Sequence, residues 1–194
     1  MNTLDVILLA FGLYIFVAAT WSIAGMFGAP WVPTPIWVID RMLKMAELKA
    51  NETLVDLGAG DGRIVIWAAL RYKANAIGVE IDPLRCLWAN SLIHLLGLRG
   101  RAKVYYADIY ETKVLSEADV VTTYLLQTTN QKLERKLKRE CKLIVRIVSR
   151  TFTFPKFHLV GQDHKRSIFL YKNCLKHLHN DGLISSYQSH ATKG

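Results

Sequence analysis

Two hydrophobic rhythms divide the chain. Residues 6–39 carry no formal charge, and the run VILLAFGLYIFVAATWSIAGMFGA at residues 6–29 is apolar over 24 positions without helix-capping signals. A bilayer core takes about 20 apolar residues of helix, so this run predicts one transmembrane helix, with a buried core helix or hairpin as the alternative. A secretory signal would open with positive charge and have a shorter apolar centre, and a mitochondrial presequence would be amphipathic and Arg-rich; neither describes it. Asp5 precedes the span, whereas Arg41, Lys44 and Lys49 follow it. That asymmetry predicts a single-pass protein whose remaining chain faces the cytoplasm, with Trp21, Trp31 and Trp37 placed to mark the interface.

After the prolines of PWVPTP the period changes. Ile36, Ile39, Leu43 and Ala46 share one helical face and predict a helix over 36–48. Short apolar runs then alternate with helical stretches: TLVDL at 53–57, a helix over 63–72, NAIGVE at 75–80, a helix over 83–98, AKVYYAD at 102–108, ADVVTTYL at 118–125, a helix over 129–140, KLIVRIVS at 142–149 and SIFLYK at 167–172. Strand–helix alternation of this kind predicts an α/β domain with a mainly parallel sheet and helices on both faces. From residue 177 the chain is polar and without period. The organisation expected is an anchor over 1–30, the α/β domain over 31–173 and a tail over 174–194.

Composition adds location more than fold. The formal charge is +9 and 51% of the 194 residues are hydrophobic, enough for one sizeable core. The charge favours acidic partners such as anionic headgroups or nucleic acid. Lys132, Arg135, Lys136, Lys138, Arg139, Lys142 and Arg146 form a basic stretch, which is a solvated helix face or, beside an anchor, a contact for headgroups. No aromatic platform accompanies it, which argues against nucleic acid. Cys86, Cys141 and Cys174 are scattered, without zinc or disulfide spacing.

The chemistry concentrates in LVDLGAGDGR at 54–63. A strand, glycines and a helix hold a nucleotide because glycine permits a sharp turn and close backbone approach. A dinucleotide fingerprint would place glycine at 58, 60 and 63, but Arg63 fills the last position, so NAD is disfavoured. Asp56, two residues before Gly58, would repel a pyrophosphate and attract an ammonium or sulfonium. S-adenosyl-L-methionine (SAM) carries both cations and no phosphate. Glu80, at the end of the second predicted strand, suits ribose hydroxyls; Asp108, at the end of the third, suits the adenine edge. Gly58 and Gly60 would line the cofactor, and Asp61 either touches it or caps the following helix.

The runs DLGAGDGRIVIWAA, GVEIDP, VVTTYLLQTTNQKLERKL and VSRTFTFP resemble the small class I protein-lysine methyltransferases: soluble crenarchaeal enzymes and membrane-anchored mitochondrial ones that modify the adenine nucleotide translocase and the c-subunit of ATP synthase. The resemblance spans residues 32–171. It implies a Rossmann-like, seven-stranded mainly parallel sheet, SAM as cofactor, and methyl transfer to a lysine of a protein at or near a membrane, the inner mitochondrial membrane in a eukaryote. It also implies an acceptor site at the end of the fourth strand, with Tyr124 orienting the amine and Leu125, Phe152 and Phe154 lining the lysine stem; for the two phenylalanines, alternation along a strand makes core packing the competing reading. Gln127 replaces the proline usual after YLL. A small-molecule or lipid amine as acceptor, and a non-catalytic adaptor in a membrane complex, are the alternatives.

Overall fold

A computed structural model describes residues 11–12 and 32–172. The expected transmembrane run, apart from Phe11 and Gly12, and the 174–194 tail lie outside the described residues. Among the described residues no helix is long and apolar enough to cross a membrane. The chain divides into two units, Met1–Pro33 and Thr34–Gly194, and every element below belongs to the second.

Helix α1 (Ile36–Met45) buries Val38, Ile39, Met42 and Leu43 on one stripe. It stops short of the expected 48 because Glu47 adopts a left-handed φ of 51°. Then follow β1 (Thr53–Leu57), α2 (Arg63–Tyr72), β2 (Asn75–Glu80), α3 (Pro83–Leu95), β3 (Ala102–Tyr106), a 3-10 turn (Val114–Glu117), β4 (Val120–Thr123), α4 (Gln127–Glu140), β5 (Arg146–Arg150), β6 (His158–Asp163), a second 3-10 turn (His164–Arg166) and β7 (Ile168–Lys172). Asp82 caps α3, its carboxylate accepting from the Leu84 and Arg85 amides, and Pro83 opens the first turn. Gly97, at φ 67°, ends α3 before the expected 98.

The seven strands form one sheet in the order β3-β2-β1-β4-β5-β7-β6. β1 to β5 run parallel, and β7 lies antiparallel to both β5 and β6. The alternation of side chains along a strand sorts the core into two layers. Leu54, Ala76, Val104, Val120 and Val148 meet α1, α2 and α3. Val55, Leu57, Val79, Val121 and Ile147 meet α4 and the first 3-10 turn. Two strand expectations need correction. The KLIVRIVS run pairs only from Arg146, since Leu143 and Ile144 are exposed in the preceding turn. β6 had no clear signal because its residues are mostly exposed on the sheet's outer edge.

The topology positions a site. The chain winds outward from β1 through β2 to β3, then crosses back to place β4 on the other side of β1. Such a reversal opens a crevice at the carboxyl ends of β1 and β4, where open α/β sheets bind ligands.

Candidate active site

The glycine loop after β1 is held to β2 by its own backbone. The Gly58 and Ala59 amides donate to the Val79 carbonyl at 2.9 and 3.0 Å. Gly58, Gly60 and Gly62 all have left-handed φ, at 80°, 56° and 78°. A Cβ at Gly58 would also lie 2.7 Å from Cδ2 of Leu125, so that side chain would have to move aside. Glu80, buried at the end of β2, accepts from the Gly60 amide through Oε2 at 2.7 Å and from the Asp82 amide through Oε1 at 3.0 Å. One carboxylate thus ties the loop after β1 to the turn after β2, and each oxygen keeps a lone pair for a further donor.

Asp56 sits deeper. It is 2% exposed, and its Oδ1 accepts from the Thr122 hydroxyl at 2.7 Å across the β1–β4 register. Burial pushes its carboxyl up to about 7, against the Thr122 hydrogen bond, and the charges of Glu80 and Asp61 add to the rise. No ion pair joins Asp56 to a cation among the described residues. A buried acid with one hydroxyl partner, at the mouth of a glycine loop, fits a cationic ligand and not a phosphate. The residues present therefore suit SAM.

Asp108 lies two residues beyond β3. The Ala107 amide donates to the Glu80 carbonyl, which keeps Asp108 beside the β2 end, and Asp108 Oδ1 accepts from the Tyr110 amide at 2.8 Å. Asp61 is engaged elsewhere. Both its oxygens accept from Nε of Arg63, at 2.9 and 3.0 Å, and the Arg63 guanidinium also donates to the Thr34 carbonyl. Gly62 holds the N-cap position of α2, and the Asp61 carboxylate just before it accepts from the Arg63 amide at 3.3 Å.

The other end of the crevice is built by β4, β5 and the start of α4. Tyr124, half-buried just past β4, stacks under the guanidinium of Arg150, which lies 4.6 Å from the ring centroid at the end of β5. Thr123 is opposite Ser149, and Asn130 donates to the Ser149 hydroxyl and to the Phe152 carbonyl, both at 3.2 Å. Gln127 replaces a proline with a two-way clamp: its Nε2 donates to the Thr153 carbonyl and its Oε1 accepts from the Thr153 amide, both at 3.0 Å. Among the described residues, the buried side-chain polar atoms without a hydrogen-bond partner are Thr123 Oγ1, Asn130 Oδ1, and Nε and Nη1 of Arg150. All belong to this end.

The phenylalanine expectation is corrected here. Residues 151–157 form bends and a turn, not a strand. Phe154 is buried in edge-to-face contact with Phe157 and Tyr171, with centroids 5.8 Å apart in each pair, so it packs the core and offers no wall to a substrate. Phe152 remains half-buried. Leu125 is buried against Gly58, so it joins the end of β4 to the glycine loop. Thr122, Gln127, Asn130 and Arg150 lie within the runs that carry the resemblance, but their hydrogen-bonding and stacking partners depend on contacts made only once the sheet has closed.

A family model described as the ANTKMT methyltransferase domain matches residues 56–160, just over half of the chain. The chain belongs to this methyltransferase family. A protein-lysine N-methyltransferase of Saccharolobus islandicus is 42% identical over 124 residues, covering 63% of this chain and 76% of the relative. A human lysine N-methyltransferase named for the c-subunit of ATP synthase is 33% identical over 136 residues, covering 69% of this chain; the chain spans 57% of that relative's length. Among solved structures, an RNA methyltransferase from Salinibacter ruber, bound to S-adenosyl-L-homocysteine, superposes with a TM-score of 0.69 at 36% identity and covers 73% of this chain and 92% of that one. This family member is thus a SAM-dependent enzyme with the class I, Rossmann-like methyltransferase fold.

Proposed function

We propose that this methyltransferase modifies a lysine side chain of a protein at a membrane, and that residues 6–29 anchor it there with the catalytic domain on the cytoplasmic side, or at the inner mitochondrial membrane in a eukaryotic source. The observation that carries the cofactor half is Asp56, a buried acid without a counter-cation among the described residues. The lysine half is supported by the names of the archaeal and human relatives and by the character of the crevice's second end.

When bound, SAM supplies a methyl group on a sulfonium, which an amine lone pair displaces in line as the carbon–sulfur bond breaks. Asp56 would hold its ammonium, Glu80 its ribose hydroxyls and Asp108 its adenine edge. Glu80 sets the glycine loop in place beforehand through the Gly60 amide. Positioning of this kind supplies most of the rate in a displacement that needs no acid at the leaving group. The nucleophile must arrive neutral, yet a free lysine has a pKa of about 10.4. Arg150 favours the neutral amine, because its guanidinium makes no ion pair among the described residues and opposes a second cation nearby. Tyr124 presents a hydroxyl that can accept from the amine and aim its lone pair, and Phe152 borders the stem.

A second reading is an RNA acceptor, favoured by the name of the Salinibacter protein and by the net charge of +9. The decisive experiment incubates the detergent-solubilised chain with membrane extract, total RNA and methyl-labelled SAM. Label in protein, released by hydrolysis as methyl-lysine, is the expected result. Label in RNA or in lipid would overturn it in favour of that acceptor, and SAM binding without any transfer would favour an adaptor.

A further inference from the structure

Helix α3 is apolar on two opposite sides. Its inner side, Cys86, Ala89 and Ile93, packs on β2 and β3 within the core. Its outer side carries Leu84, Leu87, Trp88 and Leu95, which are 51%, 65%, 59% and 80% exposed. At about 100° per residue these four, with Ser91 among them, fall within an arc of roughly 100° pointing away from the sheet. A helix on a water-facing surface normally turns charge outward there. Ile81, just before the helix, is exposed, and so is Tyr106, on the α3 side of β3, the outermost strand of the sheet at that side.

The charges around it have one sign. Residues 83–107 contain no aspartate or glutamate, and they contain Arg85, Arg99, Arg101 and Lys103. Arg85 is offset by Asp82. Arg101 donates to the neutral Asn51 side chain and the Lys73 carbonyl, and Lys103 lies over the Tyr105 ring, so among the described residues no acid pairs with either charge. A row of leucines with a tryptophan, edged by basic groups and free of acids, is what a helix lying in the headgroup boundary of an anionic bilayer requires. The apolar side chains enter the acyl boundary while the arginines and the lysine reach phosphates.

We infer that the outer face of α3, with the adjoining edge of β3, is a docking surface for an anionic lipid bilayer. It is distinct from the expected span at residues 6–29 and lays the catalytic domain sideways on the membrane. The inference rests on the membrane location proposed above, and on nothing proposed about cofactor or acceptor. A second copy or a protein partner would also bury Leu87 and Leu95, but neither calls for the acid-free stretch of residues 83–107 with Arg99, Arg101 and Lys103 gathered beyond the end of the helix.

The test places the 194-residue chain in nanodiscs made of equal parts phosphatidylcholine and phosphatidylglycerol, with and without brominated acyl chains. Emission of Trp88 is isolated by subtracting the Trp88→Phe protein, which removes the contributions of the other tryptophans. Expected is quenching of the Trp88 component by brominated lipid of about twofold or more, weaker in phosphatidylcholine alone, and abolished in Leu87→Glu/Leu95→Glu. That double variant keeps wild-type SAM affinity in detergent, because both side chains point away from the core. An unquenched Trp88 component in both lipids overturns the inference. So does a chain that is dimeric in detergent and becomes monomeric in Leu87→Glu, which assigns the face to a second copy. Failure of the methyl-transfer experiment leaves the quenching result intact, so the two readings fall separately.

Discussion

The guanidinium of Arg150 stacks 4.6 Å from the centre of the Tyr124 ring, joining the ends of β5 and β4 at the side of the crevice proposed to take the acceptor. Two of its nitrogens are buried without a hydrogen-bond partner among the described residues. Such a cation raises the cost of placing an ammonium beside it, so its removal should make the acceptor amine harder to deprotonate. Arg150→Met is expected to move the acidic limb of the kcat/KM–pH profile upward by up to about one unit, and to lower kcat/KM near pH 7 by roughly tenfold. SAM affinity should stay the same, and Arg150→Lys should restore the limb. A uniform loss at every pH would mean that Arg150 acts only through the local fold.

Asp56 gives the cofactor site its own pH dependence. Its carboxyl titrates near 7 because it is buried, and pairing with an ammonium favours the ionised form. SAM affinity should therefore rise between about pH 6 and 7.5, approaching tenfold per unit on the acid side, with a proton released on binding. Calorimetry in two buffers of different ionisation enthalpy measures that proton. In Asp56→Asn the slope should vanish and affinity should fall by at least about tenfold.

The same residue should trade stability for binding. Its folded value lies above the unfolded one, so its favourable contribution is complete below about pH 4 and is lost as the pH rises through 7. Without ligand, Asp56→Asn is expected to melt higher than wild type at pH 8 and to lose that advantage at pH 4. Thermal scans at the two pH values decide; an equal shift at both would point to packing and not to charge.

Gly58 faces two constraints at once, a φ of 80° and the Leu125 methyl that a Cβ would strike. Gly58→Ala should cost about 1–2 kcal/mol from backbone strain alone. Pushing Leu125 away should also disturb the acceptor end, so KM for the acceptor should rise along with KM for SAM. An effect confined to SAM would show that Leu125 does not couple the two ends.

Gln127 clamps Thr153 through two hydrogen bonds. Gln127→Ala should cost about 1–2 kcal/mol. The Thr153 amide should then exchange faster with deuterium, while the Gly60 amide, held by Glu80, keeps its protection.

The placing of the glycine loop, of Glu80 at the end of NAIGVE and of Asp108 past the third strand was legible in the sequence, because these residues sit at strand ends with short-range spacing. Periodicity also placed α2 over 63–72, since its apolar stripe is clean and left-handed residues stand at both ends. What escaped has a common cause. Arg150, Asn130 and Gln127 sit in the runs that carry the resemblance, yet their partners lie 19 to 26 residues away in sequence, and no local pattern records those pairings. Phe154 alternates with Phe152 as a strand would, yet Thr151 at φ 67° turns the chain out of the sheet and drops Phe154 into the core. β6 is edge chain whose side chains are largely exposed, so it lacks the apolar alternation that betrays an inner strand.

The face of the sheet under α4 is closed by that helix together with irregular chain. The connection from β3 to β4 holds a 3-10 turn, and the one from β5 to β6 bends and a turn that supply Phe154 and Phe157 to the core. Both open at the rim of the crevice, and neither takes part in the strand order. They are the natural sites for grafted chain: lengthening either one would recut the mouth for a different guest while the acids beneath stayed put, which is how a fold this spare can diversify its clientele without relearning its methyl donor.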